Sequence, residues 1–133
     1  MTRRESREAA LCLLFEHGFS PEEAPEEIME RAKEMREEKY SAFAKSLFEG
    51  ACAHEKEIDV RISAAADNWS MSRISRVSLA VLRLASFELL FGEGTDTEII
   101  VNEAIELARR YDDDKAPAFV NGVLGRIAAD RNG

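Results

Sequence analysis

A chain of 133 residues fits one domain, spanning 1–133, that can bury roughly two-thirds of its surface on folding without a disulfide or metal staple. Its apolar content is ordinary and its charges are mixed in sign, a globular composition and not a disordered one. The longest apolar run, 79–91, is broken by Arg83, Ser86 and Glu88, which excludes a membrane span, and the net charge of −8 argues at first against nucleic acid.

Nearly everything reads as helix, because apolar residues recur at helical spacing and no alternating β-branched run appears. Thr2-x-x-Glu5 predicts a capping box for helix one, which buries Ala10, Leu11, Leu14 and Phe15 and ends near Gly18. Ser20-Pro21-Glu22-Glu23 predicts the start of helix two, which runs to about Glu37. Helix three is expected to be long, from Tyr40 to Ala65, bent at Gly50 and interrupted in its apolar stripe at His54 and Glu55. Trp69 beyond it reads as a core anchor, and helix four as a short turn around Ser70 to Ile74. Helix five, Ser75 to Phe91, is apolar nearly all round and is therefore expected at the centre. Gly92 and Gly94 stop it, and Thr95-x-x-Glu98 predicts a second capping box for helix six. Asp112-Asp113-Asp114 supply a cap and favourable charge for helix seven. The expected architecture is all-α, about seven helices in two small bundles that share long central helices three and five.

Charge is distributed in blocks. Residues 1–15 carry three arginines against two glutamates, whereas 16–60 carry six cations against thirteen acids. Residues 61–92 are again basic, 93–114 hold two cations against eight acids, and 115–133 hold three against one. Such a chain can present different surfaces to an anionic and a cationic partner.

No catalytic, metal or cofactor motif is found. The two histidines, His17 and His54, stand in no ligand or triad pattern and read as structural. Cys12 and Cys52 have no metal spacing and read as free thiols. No signal-peptide pattern follows the N-terminus, so the expected compartment is the cytoplasm.

What stands out is the stretch around Phe119-Val120-Asn121-Gly122. On a helix, Ala116, Val120, Val123, Leu124 and Ile127 form an apolar stripe. Lys115, Phe119, Gly122 and Arg126 form a neighbouring strip: two cations for phosphates, a ring for a base, and a residue that leaves room. Arg3, Arg4 and Arg7 form a second basic cluster, projecting in the direction of helix one's apolar stripe. If the two clusters adjoin, they make one surface suited to a nucleic acid. On helix five, Arg76 and Arg83 lie on one side, and Arg83 must reach water, a carboxylate or a partner.

The chain resembles the NusB transcription antitermination factors. The resemblance rests on the run from Trp69 to Leu90, on Val101-Asn-Glu-Ala-Ile-Glu-Leu-Ala-Arg-Arg-Tyr111, on Phe119-Val-Asn-Gly-Val-Leu124, and on the arginine-rich first helix. It implies an all-helical, non-enzymatic protein without a cofactor. Such a protein binds the single-stranded boxA element of RNA together with the small-subunit ribosomal protein NusE. It joins an RNA polymerase antitermination complex, notably on ribosomal RNA operons. Arg3, Arg4 and Arg7 match the family's RNA-binding segment, and Phe119 the aromatic of its C-terminal motif. Arg83, Glu88 and Glu103 match recurring charged positions at the ribosomal-protein interface or in the packing behind it. Glu103 and Glu106, on the outer face of helix six, belong to an acidic surface suited to a basic ribosomal protein.

Three positions depart from the family pattern: Ala118 where a basic residue often precedes the Phe, Phe15 where a Tyr is frequent, and Glu5 within the arginine run. They bear on RNA affinity more than on fold, and Lys115 and Arg76 are the residues placed to compensate. The alternative reading is a helical interaction module with little RNA affinity, akin to the NusB-like domain of ribosomal RNA cytosine methyltransferases. A homodimer that hides the arginine face is compatible with either.

Overall fold

The computed structural model describes residues 1–37, 39–67, 71–92 and 94–131. Among them are seven α-helices, a single 3₁₀ turn at Met71–Arg73 and no strand. Trp69 and Ser70 lie outside the described residues.

Helix α1 (Arg3–Phe19) begins with the expected capping box. The Thr2 hydroxyl accepts from the Glu5 N–H at 3.0 Å, and the Thr2 N–H donates to the Glu5 carboxylate at 2.8 Å. Helix α2 (Pro25–Arg36) starts later than the sequence suggests. Residues 20–23 close a turn, Glu23 N–H to Ser20 C=O, and the proline at the first helical position is Pro25 instead of Pro21. Both prolines suit a first turn, where no N–H is needed. The buried anchors Ile28, Met29 and Ala32 decide between them.

The long third helix is two helices, α3 (Ala42–Ala53) and α4 (Glu55–Ala65), separated at His54. Gly50 does not bend the chain; it lies inside α3, where the Phe87 ring of the next helix but one fills the place of a side chain. A Cβ there would come within 2.1 Å of Phe87 Cζ. The count of seven therefore stands, but the split of α3 from α4 replaces the short helix four.

Helix α5 (Arg76–Phe91) is capped by the Ser75 hydroxyl, which accepts from the Ser78 N–H at 3.0 Å. It packs against α1, α3, α4, α6 and α7, the central position its all-round apolarity predicts. Val81, Leu82, Leu84 and Leu89 are almost wholly buried, each contributing about 1.5–3 kcal/mol of transfer free energy. Helix α6 (Thr97–Tyr111) lacks the predicted capping box: its N-cap is Asp96, without a side-chain cap bond. The Thr95 hydroxyl instead accepts from Arg3 at 3.3 Å. Helix α7 (Ala116–Arg131) starts on the Asp113 carboxylate, which accepts from the N–H groups of Lys115 and Ala116 at 2.9 and 3.1 Å.

Two bundles result. One holds α1, α2, α3 and α5; the other holds α4, α5, α6 and α7. Helix α5 is common to both, and the break at His54 sends the chain from the first to the second. One continuous core joins them, from Leu13 and Phe48 to Leu124 and Ile127. No helix among the described residues is long and apolar enough to cross a membrane.

Candidate nucleic-acid interface

Helix α7 presents Phe119 at the edge of its buried stripe. Val120, Val123, Leu124 and Ile127 turn inward, whereas the ring of Phe119 is half-buried. Phe119 borders two shallow depressions. The first, about 250 Å³, is also lined by Arg73, Ile74, Ser75 and Lys115. The second, about 330 Å³, is also lined by Asp67, Ala118, Gly122 and Arg126.

Lys115 and Arg73 are exposed, and among the described residues neither side chain makes an ion pair or hydrogen bond. The acids beside them are already engaged. Asp113 caps α7, and Asp112 accepts from the Ser78 hydroxyl at 2.7 Å and from the Ser75 hydroxyl at 2.5 Å. Burial pushes the Asp112 carboxyl up, but the hydrogen bonds from Ser75, Ser78 and the Asp113 N–H outweigh it and hold its pKa below the ordinary value. Two unpaired cations thus flank a half-buried ring. Sequence reasoning misses Arg73: a lone arginine in a short polar turn is indistinguishable there from ordinary surface.

Gly122 is exposed, and a Cβ added to it would meet nothing within 4 Å. The same holds for Gly125, one turn further on the same face. A helix-interior glycine costs about 1 kcal/mol relative to alanine, and no packing among the described residues requires it here. The bare strip beside Phe119 is open to approach from outside. Arg126 is less free: it donates to the Ala65 carbonyl and pairs with Asp67 at 2.8 Å, tying α7 to the end of α4.

The N-terminal arginines separate into three situations. Arg3 is exposed, its guanidinium 3.6 Å above the Phe43 ring. Arg4 is exposed and makes a two-pronged bond to Glu103 at 3.2 and 3.1 Å. Arg7 is only 3 % exposed and bridges Glu88 at 2.9 and 2.8 Å. The expectation that Arg7 contacts phosphate is corrected: the apolar-stripe direction that it shares with Ala10 and Leu14 carries it inward to α5. Glu88, expected at or behind a partner surface, is 5 % exposed and belongs to the packing.

Arg83 finds its carboxylates on α4, not on Glu88. It bridges Asp59 at 2.8 Å through two nitrogens and reaches Glu55 at 3.2 Å. Glu106 is exposed and pairs with Arg109 on the next turn. The outer face of α6 is accordingly balanced in charge rather than acidic. His17 is buried against Glu55, its Nε2 at 3.5 Å, and His54 stacks on Phe91 at 3.9 Å. Both are structural. No group of three or more metal-ligating side chains occurs among the described residues.

The two basic clusters do not adjoin. Arg3 meets Thr95 just before α6, whereas Lys115 follows the Asp112 C-cap of the same helix. The fifteen residues of α6 set them roughly 22 Å apart.

With this arrangement in hand, the NusB family model matches residues 4–129. The chain belongs to the NusB family. It is 43% identical over 130 residues to the transcription antitermination protein NusB of Bacillus subtilis, covering 98% of this chain and 97% of that one. Against NusB of Geobacter sulfurreducens the identity is 38%, covering 96% and 94%. Among solved structures, NusB of T. maritima superposes with a TM-score of 0.85 at 37% identity, covering 98% of this chain and 92% of that chain. A chain in the structure of antitermination factors NusB and NusE in complex with double-stranded RNA gives 0.83 at 30% identity, covering 98% and 99%.

Proposed function

We propose that this NusB-family chain is a non-enzymatic transcription antitermination protein of the cytoplasm that binds single-stranded, boxA-type RNA together with the small-subunit ribosomal protein NusE. In this reading it joins an RNA polymerase antitermination complex, notably on ribosomal RNA operons, and acts as one unit over 1–133. The observation that carries the RNA contact is the half-buried Phe119 ring flanked by the unpaired cations Lys115 and Arg73 and by the bare Gly122 strip. Cations supply the phosphate term, and the open side of the half-buried ring offers a stacking platform that only an unpaired base can use. Arg126 borders the candidate surface, Arg3 and Arg4 form a separate exposed basic end, and Arg7 lies beneath that end. The resemblance of the whole chain to one solved with NusE and RNA supports both partners.

The test is a titration of labelled boxA-like RNA, single-stranded and double-stranded, with and without the ribosomal protein. The expected result is salt-dependent binding that prefers the single strand and tightens with the protein partner. Equal or absent binding of both RNAs in the presence of NusE would overturn the reading. A second reading, a helical interaction module with little RNA affinity, has one observation in its favour. Arg4 and Arg7 both direct their guanidiniums at carboxylates of this chain. The same titration separates the two.

A further inference from the structure

The structure carries a second set of arginines between the two ends of the candidate surface. Helices α1 and α6 run side by side in the same direction: Arg4 meets Glu103, and one to two turns on, Glu8 meets Arg110 and Tyr111. A depression of about 330 Å³ lies between them, lined by Arg4, Glu8, Glu103, Glu106, Arg109 and Arg110. Three guanidiniums and three carboxylates share it. Each arginine is held by one acid: Arg4 by Glu103, Arg109 by Glu106, Arg110 by Glu8.

The arginine ends of these pairs are on the surface, whereas the Glu103 and Glu8 side chains are only 18% and 25% exposed and Glu106 is 56% exposed. The side chains of Arg4, Arg109 and Arg110 are 64%, 59% and 62% exposed. Ion pairs with so exposed a cation are weak, most of all the Arg109–Glu106 pair that is open on both sides, so a polyanion that reaches several of these guanidiniums competes with their carboxylates. The guanidinium fork fits a phosphate as well as it fits a carboxylate. At the far end the Tyr111 ring is 44% exposed, its hydroxyl donating to Glu8 at 3.0 Å, and Lys115 lies four residues beyond. The row from Arg3 and Arg4 through Arg109 and Arg110 to Tyr111 and Lys115 therefore spans the gap between the two basic clusters.

We propose that the α1–α6 groove is a masked phosphate track for single-stranded RNA, in which Glu8, Glu103 and Glu106 hold the arginines until a polyanion takes their place. The inference rests on the RNA-binding reading above and deepens it. The masking carboxylates leave the empty groove neutral, which suppresses binding of a short or weakly placed anion. An RNA that engages both ends reaches several guanidiniums at once and outcompetes all three acids together.

The groove makes an unusual demand: removing acids from it should strengthen RNA binding. The test compares the whole protein with Glu8→Gln/Glu106→Gln and with Arg109→Gln/Arg110→Gln, using labelled single-stranded boxA-like RNA over a range of salt. Glutamine at position 8 retains an acceptor for Tyr111. The expected result is about fivefold tighter binding for the first pair, the scale of its two weak ion pairs released together, and binding weakened by a similar factor for the second. The salt slope should steepen by about 0.7 for each additional phosphate neutralised and flatten by as much for each phosphate no longer neutralised. Thermal melting of each variant checks that the fold is intact, and these surface changes should leave it nearly unaltered. If wild type binds RNA and the variants match it in affinity and slope, the groove is no track and this inference alone falls. If the variants change only association with the ribosomal protein, the groove is a protein surface and the inference falls likewise. If wild type and all variants bind no RNA, the functional reading itself fails.

Discussion

Replacing Arg7 with alanine should destabilise the fold rather than merely weaken RNA binding. Arg7 leaves α1 on the core side and meets Glu88 of α5 through two bonds of 2.9 and 2.8 Å, with both residues at 5 % exposure or less. Truncation would strand the Glu88 carboxylate in a place that water does not reach. Breaking a buried pair in this way costs about 3–5 kcal/mol. With an unfolding entropy of about 2.1 cal/mol/K per residue, a chain of this length should lose roughly 10–18 °C of melting temperature. The partner change Glu88→Gln is milder, because the amide still accepts one bond from Arg7. Removing both charges as Arg7→Met/Glu88→Leu should recover much of the loss, since well-packed apolar residues can replace such a pair. Calorimetric melts of wild type, Arg7→Met, Glu88→Leu and the double Arg7→Met/Glu88→Leu close a cycle that gives the coupling directly. A melting temperature within a few degrees of wild type for Arg7→Ala, together with lost RNA affinity, would refute the burial of this pair as a source of stability and return Arg7 to the RNA surface.

Phe119→Ala should reduce RNA affinity roughly five- to 150-fold, the range for one base–aromatic stack. Because the ring is half-buried, its stability loss should fall below the about 3–5 kcal/mol of a fully buried Phe, which urea unfolding checks. Gly50→Ala should destabilise despite alanine's better helix propensity, because the new Cβ lies 2.1 Å from Phe87 Cζ and displaces a ring packed near His54 and Phe91. A smaller partner, Phe87→Leu, should restore the melting temperature. Asp112 has a pKa lowered in the folded state, so its stabilising effect is complete above the unfolded value of about 4 and is lost as the pH falls through the folded one. The stability gap between wild type and Asp112→Ala should therefore be largest near neutral pH and narrow as the pH falls below the unfolded value of about 4; a gap independent of pH would show that its bonds to Ser75 and Ser78 do not depend on ionisation.

The helices are legible in the sequence where a single signal dominates. The capping box at Thr2 and Glu5 is local chemistry, and it forms as the pattern predicts. The central place of α5 follows from its apolar circumference, which allows no other position. At Ser20-Pro21 and Thr95-x-x-Glu98 the cap patterns are real candidates, but tertiary anchors fix the helix starts at Pro25 and Thr97 instead. In the sequence Gly50 offers conformational freedom, whereas its role in the fold is steric and belongs to Phe87, a residue 37 positions away. Helical periodicity does not reach that far.

The same limit governs the candidate site, where the sequence shows a charge but not what it faces. Arg3, Arg4 and Arg7 share a helical direction, yet one stacks on Phe43, one pairs at the surface and one is buried. What separates them is how far each lies from the end of the core. Moving along α1 from Arg3 to Arg7 advances about one turn, enough to pass from the rim of the bundle to beneath it. Lys115 and Arg73 come together because Asp112 binds Ser75 and Ser78, which brings the start of α7 against the start of α5. An acidic chain can therefore offer a cationic surface: many of its acids are engaged by caps, hydroxyls and arginines of the same fold, and the cations beside Phe119 are left unpaired. Charge at this site is then set by pairing rather than by composition. Asp112→Ala would loosen the junction that holds Lys115 and Arg73 together and should weaken RNA binding, even though the substitution makes the protein less acidic. Tighter binding by this variant in the same RNA titration would show instead that net charge governs the site.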